Sequence, residues 1–178
     1  TFVIYLCTLL SGNQMNLTLL IQSAIFAILP AILFLFASDL GGLFSGFLAA
    51  ALMIFQEWNA LHTTQILTIH SRLEMSEFLA EVLFAAFAYF IFKWFRQGRK
   101  QTYFAAAAGG VLGLLIYTRF NFVAMIPAII LFGGIVFHKK IKRGIFDLLI
   151  FLLSFVICIS PWVVRSYHIT GTIAPEIL

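Results

Sequence analysis

The sequence predicts an all-α protein, a bundle of about six transmembrane helices that follows an apolar N-terminal segment. Of its 178 residues, 62% are hydrophobic and 10% are charged, and the mean hydropathy is +1.05. Soluble domains carry about 25% charged residues, so the bilayer is the natural solvent for this much apolar surface. Six apolar stretches approach the ~20 residues that a membrane helix requires. We therefore expect one transmembrane domain over residues 1–178.

The six stretches span residues 17–37, 43–58, 78–95, 103–117, 122–137 and 145–164. The second, fourth and fifth are short, which fits tilted or re-entrant segments. Residues 1–12 either end an earlier membrane helix or lie on the membrane surface. We expect Pro30 and Pro127 to kink their helices, and Gly109, Gly110 and Gly113 to mark close helix packing rather than phosphate binding.

The distribution of lysine and arginine among the loops predicts the orientation of the chain in the membrane. Eight of the eleven fall into two short loops, 93–100 and 138–143, which are separated by two membrane segments and so lie on the same side. The positive-inside rule makes that side cytoplasmic. These clusters indicate topology and contact with anionic membrane lipids, not a nucleic-acid site.

The other three cations, Arg72, Arg119 and Arg165, stand alone in three different connections. Counting segments places all three at the extracytoplasmic end, where the positive-inside rule disfavours them. Charges at a membrane edge are functional candidates, and the planar guanidinium suits phosphate because it donates two parallel hydrogen bonds. We expect an anion-binding face there; helix anchoring at the headgroups is the simpler interpretation.

Acidic residues open the third segment. Ser71 and Glu74 fit a helix-capping box, whereas Glu77 and Glu81 follow on the same helix face. Glu81 lies inside an apolar run, where a carboxylate must be paired, protonated or in contact with water. His70 is a candidate metal ligand or substrate contact, although one histidine and a carboxylate do not complete a metal site.

Four stretches together resemble a known family. They are LLIQSAIFAILPAILFLFASDLGG, IHSRLEMSEFLAEVLFAAFAYF, AAAAGGVLGLLIYTRFNFVAMIPAIILF and ISPWVVRSYHITGTIAP. In this order they are similar to the polyprenyl-phosphate-sugar-dependent glycosyltransferases of the GT-C class, which include dolichyl-phosphate-mannose protein mannosyltransferases and lipid A aminoarabinose transferases. Two motifs depart from the family: Arg-Pro is Arg119-Phe120 here, and Arg-Asn-Tyr is Arg165-Ser166-Tyr167. Both keep the arginine.

The resemblance implies a GT-C-like fold and an enzyme of the plasma (inner) membrane with an outward-facing active site. Such an enzyme moves a sugar, with inversion, from a polyprenyl-phosphate donor to a protein or glycolipid acceptor. The family's catalytic acid aligns upstream of Thr1, and its extracytoplasmic domain follows the last helix. We therefore expect the chain to be a central fragment, inactive alone, with no catalytic residue of its own.

The resemblance also assigns roles to the candidate residues. Arg119 and Arg165, and with less support Arg72, stabilise the departing lipid phosphate. Glu77 orients the acceptor, holds a divalent metal ion or fixes an arginine, and these alternatives stay open, as does a contact of His70 with the acceptor or a metal. Glu81 supports the residues that contact the substrate without contacting the substrate itself.

Two other classes of protein remain possible from the sequence. A transporter or flippase of a lipid-linked substrate would also place charges in the membrane, but near its midplane and often in repeated halves. An inert, transferase-like subunit of a larger membrane complex would keep the helices without the activity. The charges here gather at one face and no repeat is evident, which favours the transferase.

Overall fold

The computed structural model describes residues 15–62, 76–97, 102–138 and 141–170. Within them almost every residue is helical and none is in a strand, which confirms the predicted all-α class. The α-helices there are α1 (Met15–Phe26), α2 (Leu29–Gly41), α3 (Leu43–His62), α4 (Ser76–Gln97), α5 (Thr102–Thr118), α6 (Met125–Val136) and α7 (Ile141–Thr170), and a 3-10 helix, Phe120–Ala124, precedes α6.

Within the described ranges, two helical stretches are long and apolar enough to cross a membrane, Ser23–Gly41 and Ile141–His168. Most of their surface is exposed rather than packed inside the protein, as expected where lipid is the neighbour. The other predicted segments also coincide with helices. Segment 43–58 is longer than expected because α3 continues to His62, whereas the fifth is divided between the 3-10 helix and α6.

The chain forms two compact units, Thr1–Ala85 and Ala86–Leu178, and the division falls within α4. In the first unit, α2 and α3 form a tight antiparallel hairpin around Gly42. This glycine has a φ of 86°, a conformation that other residues adopt only with strain. The rings of Phe34 and Phe47 meet edge to face at 5.2 Å, and a Cβ at Gly46 would collide with Ser38.

A bend between α1 and α2 replaces the kink that we expected inside one helix. The turn at Ala27 and Ile28 is tightened by a hydrogen bond from the Ile28 N–H to the Ile25 carbonyl, 3.1 Å. Pro30 follows at the start of α2, where the missing N–H of proline does little harm. Phe26 and Leu29 pack beside this bend with Val82 of α4 as the buried core of the unit.

In the second unit, α5 and α7 lie side by side and run in the same direction. The Ser154 hydroxyl donates to the Ala106 carbonyl at 2.7 Å, and residues further along α5 meet residues further along α7. A Cβ on Gly109 would lie against the Phe151 carbonyl, and one on Gly113 would lie 2.7 Å from the Cβ of Cys158. The prediction that these two glycines permit close packing is confirmed.

The second unit has two distinct ends. At the first, which we call the basic end, α4 and α6 finish and α7 begins: Trp94 of α4 stacks on Phe151 of α7 at 5.7 Å and lies 6.0 Å from Phe137, the residue after α6. Lys93, Arg96, Lys142 and Arg143 belong to these helix ends. The two predicted basic loops are therefore brought to the same end of this unit.

Candidate functional site

The opposite end, which we call the arginine end, is organised by a proline in α7. Pro161 lies inside this helix, where it has no N–H to donate to the Ile157 carbonyl and its ring crowds that carbonyl. The Ser160 hydroxyl fills the gap, because it donates to the Ile157 carbonyl at 2.9 Å. This hydroxyl thus supplies a donor where proline has none.

A side chain from α5 joins the hydrogen bonding of the next turn of α7. In a regular helix the Trp162 N–H donates to the Cys158 carbonyl. Here the Tyr117 hydroxyl bonds both groups: it accepts from the Trp162 N–H at 3.0 Å and donates to the Cys158 carbonyl at 3.1 Å. Insertion of a polar group into the helical hydrogen bonds is a recognised cause of helix bending.

This insertion fixes where the two arginines lie. Arg119 is two residues after Tyr117, and Arg165 follows Trp162 by three residues. Because Tyr117 joins α5 to α7 at this level, both arginines belong to the same end of the parallel pair. Both are exposed there, whereas Ser166, beside Arg165, is 8% exposed and marks the face of α7 that packs inward.

The end of α5 orients Arg119 away from the helix. The Arg119 N–H still donates to the Leu115 carbonyl at 2.9 Å, and its own backbone is extended, with φ −149° and ψ 120°. Thr118, which is buried, donates its hydroxyl to the same Leu115 carbonyl at 2.6 Å. Arg119 therefore stands at a rigid helix end, which limits the entropy that its backbone loses on binding a ligand.

Two exposed guanidinium groups at one end of a helix pair can bind an anion with several oxygen atoms. Each arginine presents its donors in a planar fork that matches phosphate oxygens. At a membrane edge such groups act in a less polar medium than bulk water, where their attraction for an anion is stronger.

The remaining predicted site residues are described only in part. Arg72 and His70 lie outside the described residues, and Glu77 is the second residue of α4 but its side chain is not described. Glu81 is an exposed residue of α4 in the first unit. The predicted roles of these four residues remain predictions.

A carboxylate missed by the sequence analysis lies near Glu81. Glu57, near the end of α3, is close enough for the two negative charges to repel each other. Among the described residues no three His, Cys, Asp or Glu side chains form a group able to hold a metal ion. Two carboxylates supply fewer ligands than a divalent cation takes from a dedicated protein site.

A second missed carboxylate is Asp147, which is 1% exposed in the first turns of α7. Its Oδ2 lies 3.6 Å from Nε of Arg143, one helical turn earlier, and neither carboxylate oxygen makes a hydrogen bond within the part of the chain that the structure describes. A charged residue inside an apolar run is a candidate functional residue. Asp147 is the sole acidic residue of segment 145–164, so the sequence could have identified it.

Comparisons with family models, with curated proteins and with solved structures find no match to this chain. The fold and the geometry of the arginine end therefore carry the functional argument.

Proposed function

We propose that the chain belongs to a membrane glycosyltransferase that uses a polyprenyl-phosphate-linked sugar as donor. The observation that supports this most directly is the convergence of Arg119 and Arg165 at one end of the parallel α5–α7 pair, which Tyr117 joins. The resemblance of the surrounding motifs to the GT-C transferases adds the reaction class. The acceptor in this proposal is a protein or a glycolipid on the extracytoplasmic side.

The two arginines bind the phosphate of the donor. During transfer the bond between the anomeric carbon and the phosphate oxygen breaks, so the departing polyprenyl phosphate gains negative charge. Cations that are already in place stabilise this charge in the transition state more than in the bound donor, and that difference accelerates the reaction. A rigid end at Arg119 suits this role because little reorganisation is needed.

The acidic residues keep the roles that the resemblance assigns to them. Glu77 orients the acceptor or fixes a cation, and Glu81 supports it from the next turn of α4. A general base takes the proton of the acceptor. The attacking oxygen or nitrogen approaches the anomeric carbon from the face opposite the phosphate, so the configuration inverts.

The proposal is tested in the full-length protein reconstituted in lipid vesicles. Because every donor of this class releases the same product, polyprenyl phosphate itself serves as the probe for binding, and transfer is then measured with labelled donors. We expect Arg165→Ala and Glu77→Ala each to lower transfer at least tenfold, which corresponds to about 1.4 kcal/mol of activation free energy. Arg165→Ala also weakens binding of polyprenyl phosphate.

Lys142→Ala is the matched control, because it removes an exposed cation from the basic end of the same helix. It leaves both transfer and binding of polyprenyl phosphate near the wild-type values. Wild-type transfer rates in both Arg165→Ala and Glu77→Ala, with the proteins folded, would refute the assignment of the site.

A transporter of a lipid-linked substrate is the second candidate, and two observations favour it. The helical hydrogen bonds of α7 are interrupted near Pro161, and transporters bind substrates at interrupted helices. Asp147 is buried inside the same helix. A vesicle assay separates the candidates: a transporter moves polyprenyl phosphate between leaflets without forming a glycosylated product, whereas the transferase forms that product.

A further inference from the structure

A cavity of about 210 Å³ lies at the basic end of the second unit. Its walls come from Trp94 of α4, from the last turns of α6 and from the first turns of α7, and all lining residues are apolar. The lining includes Gly133, Gly134, Phe137 and Ile145. The cavity lies at the end opposite Arg119 and Arg165, so it is not part of the site described above.

Two glycines keep this cavity open. A Cβ placed on Gly133 or on Gly134 would meet no atom within 4 Å. This differs from Gly109 of α5, where the backbone of α7 occupies the corresponding space. The small residues of α6 therefore leave room for another molecule, whereas those of α5 serve contact between helices. An apolar cavity takes apolar occupants, because it offers a polar group no hydrogen-bonding partner.

Several cations lie at the same helix ends as this cavity. Lys93 directly precedes Trp94, and Arg96 lies in the last turn of α4; their charges lie 5.4 Å from the ring centroids of Tyr89 and Phe92, respectively. Lys142 follows the cavity residue Ile141 and is exposed. The apolar cavity suits the acyl chain of an anionic phospholipid, and the cations at the same helix ends suit its phosphate headgroup.

We propose that this cavity binds one acyl chain of an anionic phospholipid, whose phosphate lies against the cations of the basic end. Charge complementarity selects this occupant over a zwitterionic lipid, since each lysine or arginine near an anionic headgroup contributes to binding. The volume is below the roughly 300–1,000 Å³ of pockets for compact drug-sized ligands. It suits part of a hydrocarbon chain, and the site does not depend on the proposed transferase activity.

Tryptophan fluorescence tests the proposal in the intact protein. Of the three tryptophans in this chain, Trp58 and Trp162 are replaced by phenylalanine, as is any tryptophan elsewhere in the full-length protein. Trp94 is then the reporter; it lines the cavity and is only 2% exposed. The protein is placed in vesicles that contain brominated phosphatidylglycerol or brominated phosphatidylcholine, whose bromine atoms quench nearby indoles. Because Trp94 is screened from bulk lipid, we expect stronger quenching by the anionic lipid at equal mole fraction.

Two further variants examine the two parts of the site. Gly133→Phe fills the cavity, and it should remove most of the quenching by either lipid while leaving helical content unchanged. Lys142→Gln keeps the cavity and removes one cation, so the preference for the anionic lipid should fall roughly fivefold. Arg165→Gln is the control, because it removes one cation from the arginine end and should leave that preference unchanged.

Three outcomes would overturn the proposal. Equal quenching by the two lipids would mean that the charge does not select the occupant. Quenching that survives Gly133→Phe would place the lipid elsewhere, and no quenching by either lipid would show that protein rather than lipid fills the cavity. None of these results bears on whether Arg165→Ala lowers transfer. Failure of the lipid-binding proposal can therefore be told apart from failure of the proposed function.

Discussion

Replacing Tyr117 by phenylalanine removes a single hydroxyl, yet it breaks two hydrogen bonds in the middle of α7. The Trp162 N–H and the Cys158 carbonyl lose their partner, at 3.0 and 3.1 Å respectively. Pro161 already removes the neighbouring bond to the Ile157 carbonyl, so this turn of α7 depends more on the bonds that Tyr117 supplies. Hydrogen bonds between membrane helices contribute about 0.6 kcal/mol on average, and at most about 1.7. We expect Tyr117→Phe to lower the free energy of unfolding by about 1–3 kcal/mol.

The measurement is unfolding in mixed micelles, followed by helical circular dichroism and by tryptophan fluorescence. A double-mutant cycle with Pro161→Ala isolates the mechanism. Alanine restores an N–H for the Ile157 carbonyl and lets the turn close, so Trp162 can bond Cys158 directly. In that background Tyr117→Phe should cost little, which gives a coupling free energy of about 1–2 kcal/mol.

Two results would refute this reasoning. An equal loss of stability from Tyr117→Phe with and without Pro161 would show that the hydroxyl does not act through the opened turn. No loss in either background would show that the two hydrogen bonds contribute nothing measurable. Transfer by Tyr117→Phe adds a functional readout: it should fall with the binding of polyprenyl phosphate, because the segment that carries Arg165 is no longer held.

Two further expectations concern packing and charge in the second unit. Gly109→Ala should destabilise the protein by about 1–3 kcal/mol, because the new Cβ overlaps the Phe151 carbonyl, whereas Gly134→Ala should be nearly neutral; equal melting temperatures of the two variants would contradict this. Arg143→Ala should cost up to about 3–5 kcal/mol because it leaves the buried Asp147 carboxylate without its ion-pair partner. The double variant Asp147→Leu with Arg143→Met should recover most of that loss, and a loss equal to or greater than that of Arg143→Ala would rule out this account.

The positions of the helices could be predicted from the sequence because each helix coincides with a continuous run of apolar residues. Length and hydropathy placed helices over all six stretches, and the glycines of α5 were recognised as a packing surface before any partner was known. The kink expected at Pro30 occurs as a break in the helix at Ala27 and Ile28, a position that the sequence analysis did not predict. An apolar run has the same composition whether it is straight or bent, and Pro30 alone shows only that a regular interior hydrogen bond is missing.

The candidate site was predictable in its residue types but not in its construction. Arg119 and Arg165 stood out because lone cations oppose the charge rule for loops. Tyr117 did not stand out, since a tyrosine near a helix end is ordinary at a membrane interface. Asp147 was visible as a charge in an apolar run and was overlooked beside the more numerous acidic residues of α4.

By itself the sequence determined that the chain is helical, apolar and divided into segments, because helix formation in a membrane depends on local composition and on hydrogen bonds within each segment. Only the tertiary structure decided that α5 and α7 are parallel partners and that Tyr117 completes a turn opened by Pro161. These two residues are 44 positions apart, and a contact between them depends on how two helices pack, which no local pattern records. The same packing brings Arg119 and Arg165 to one end and leaves the cavity open at the other.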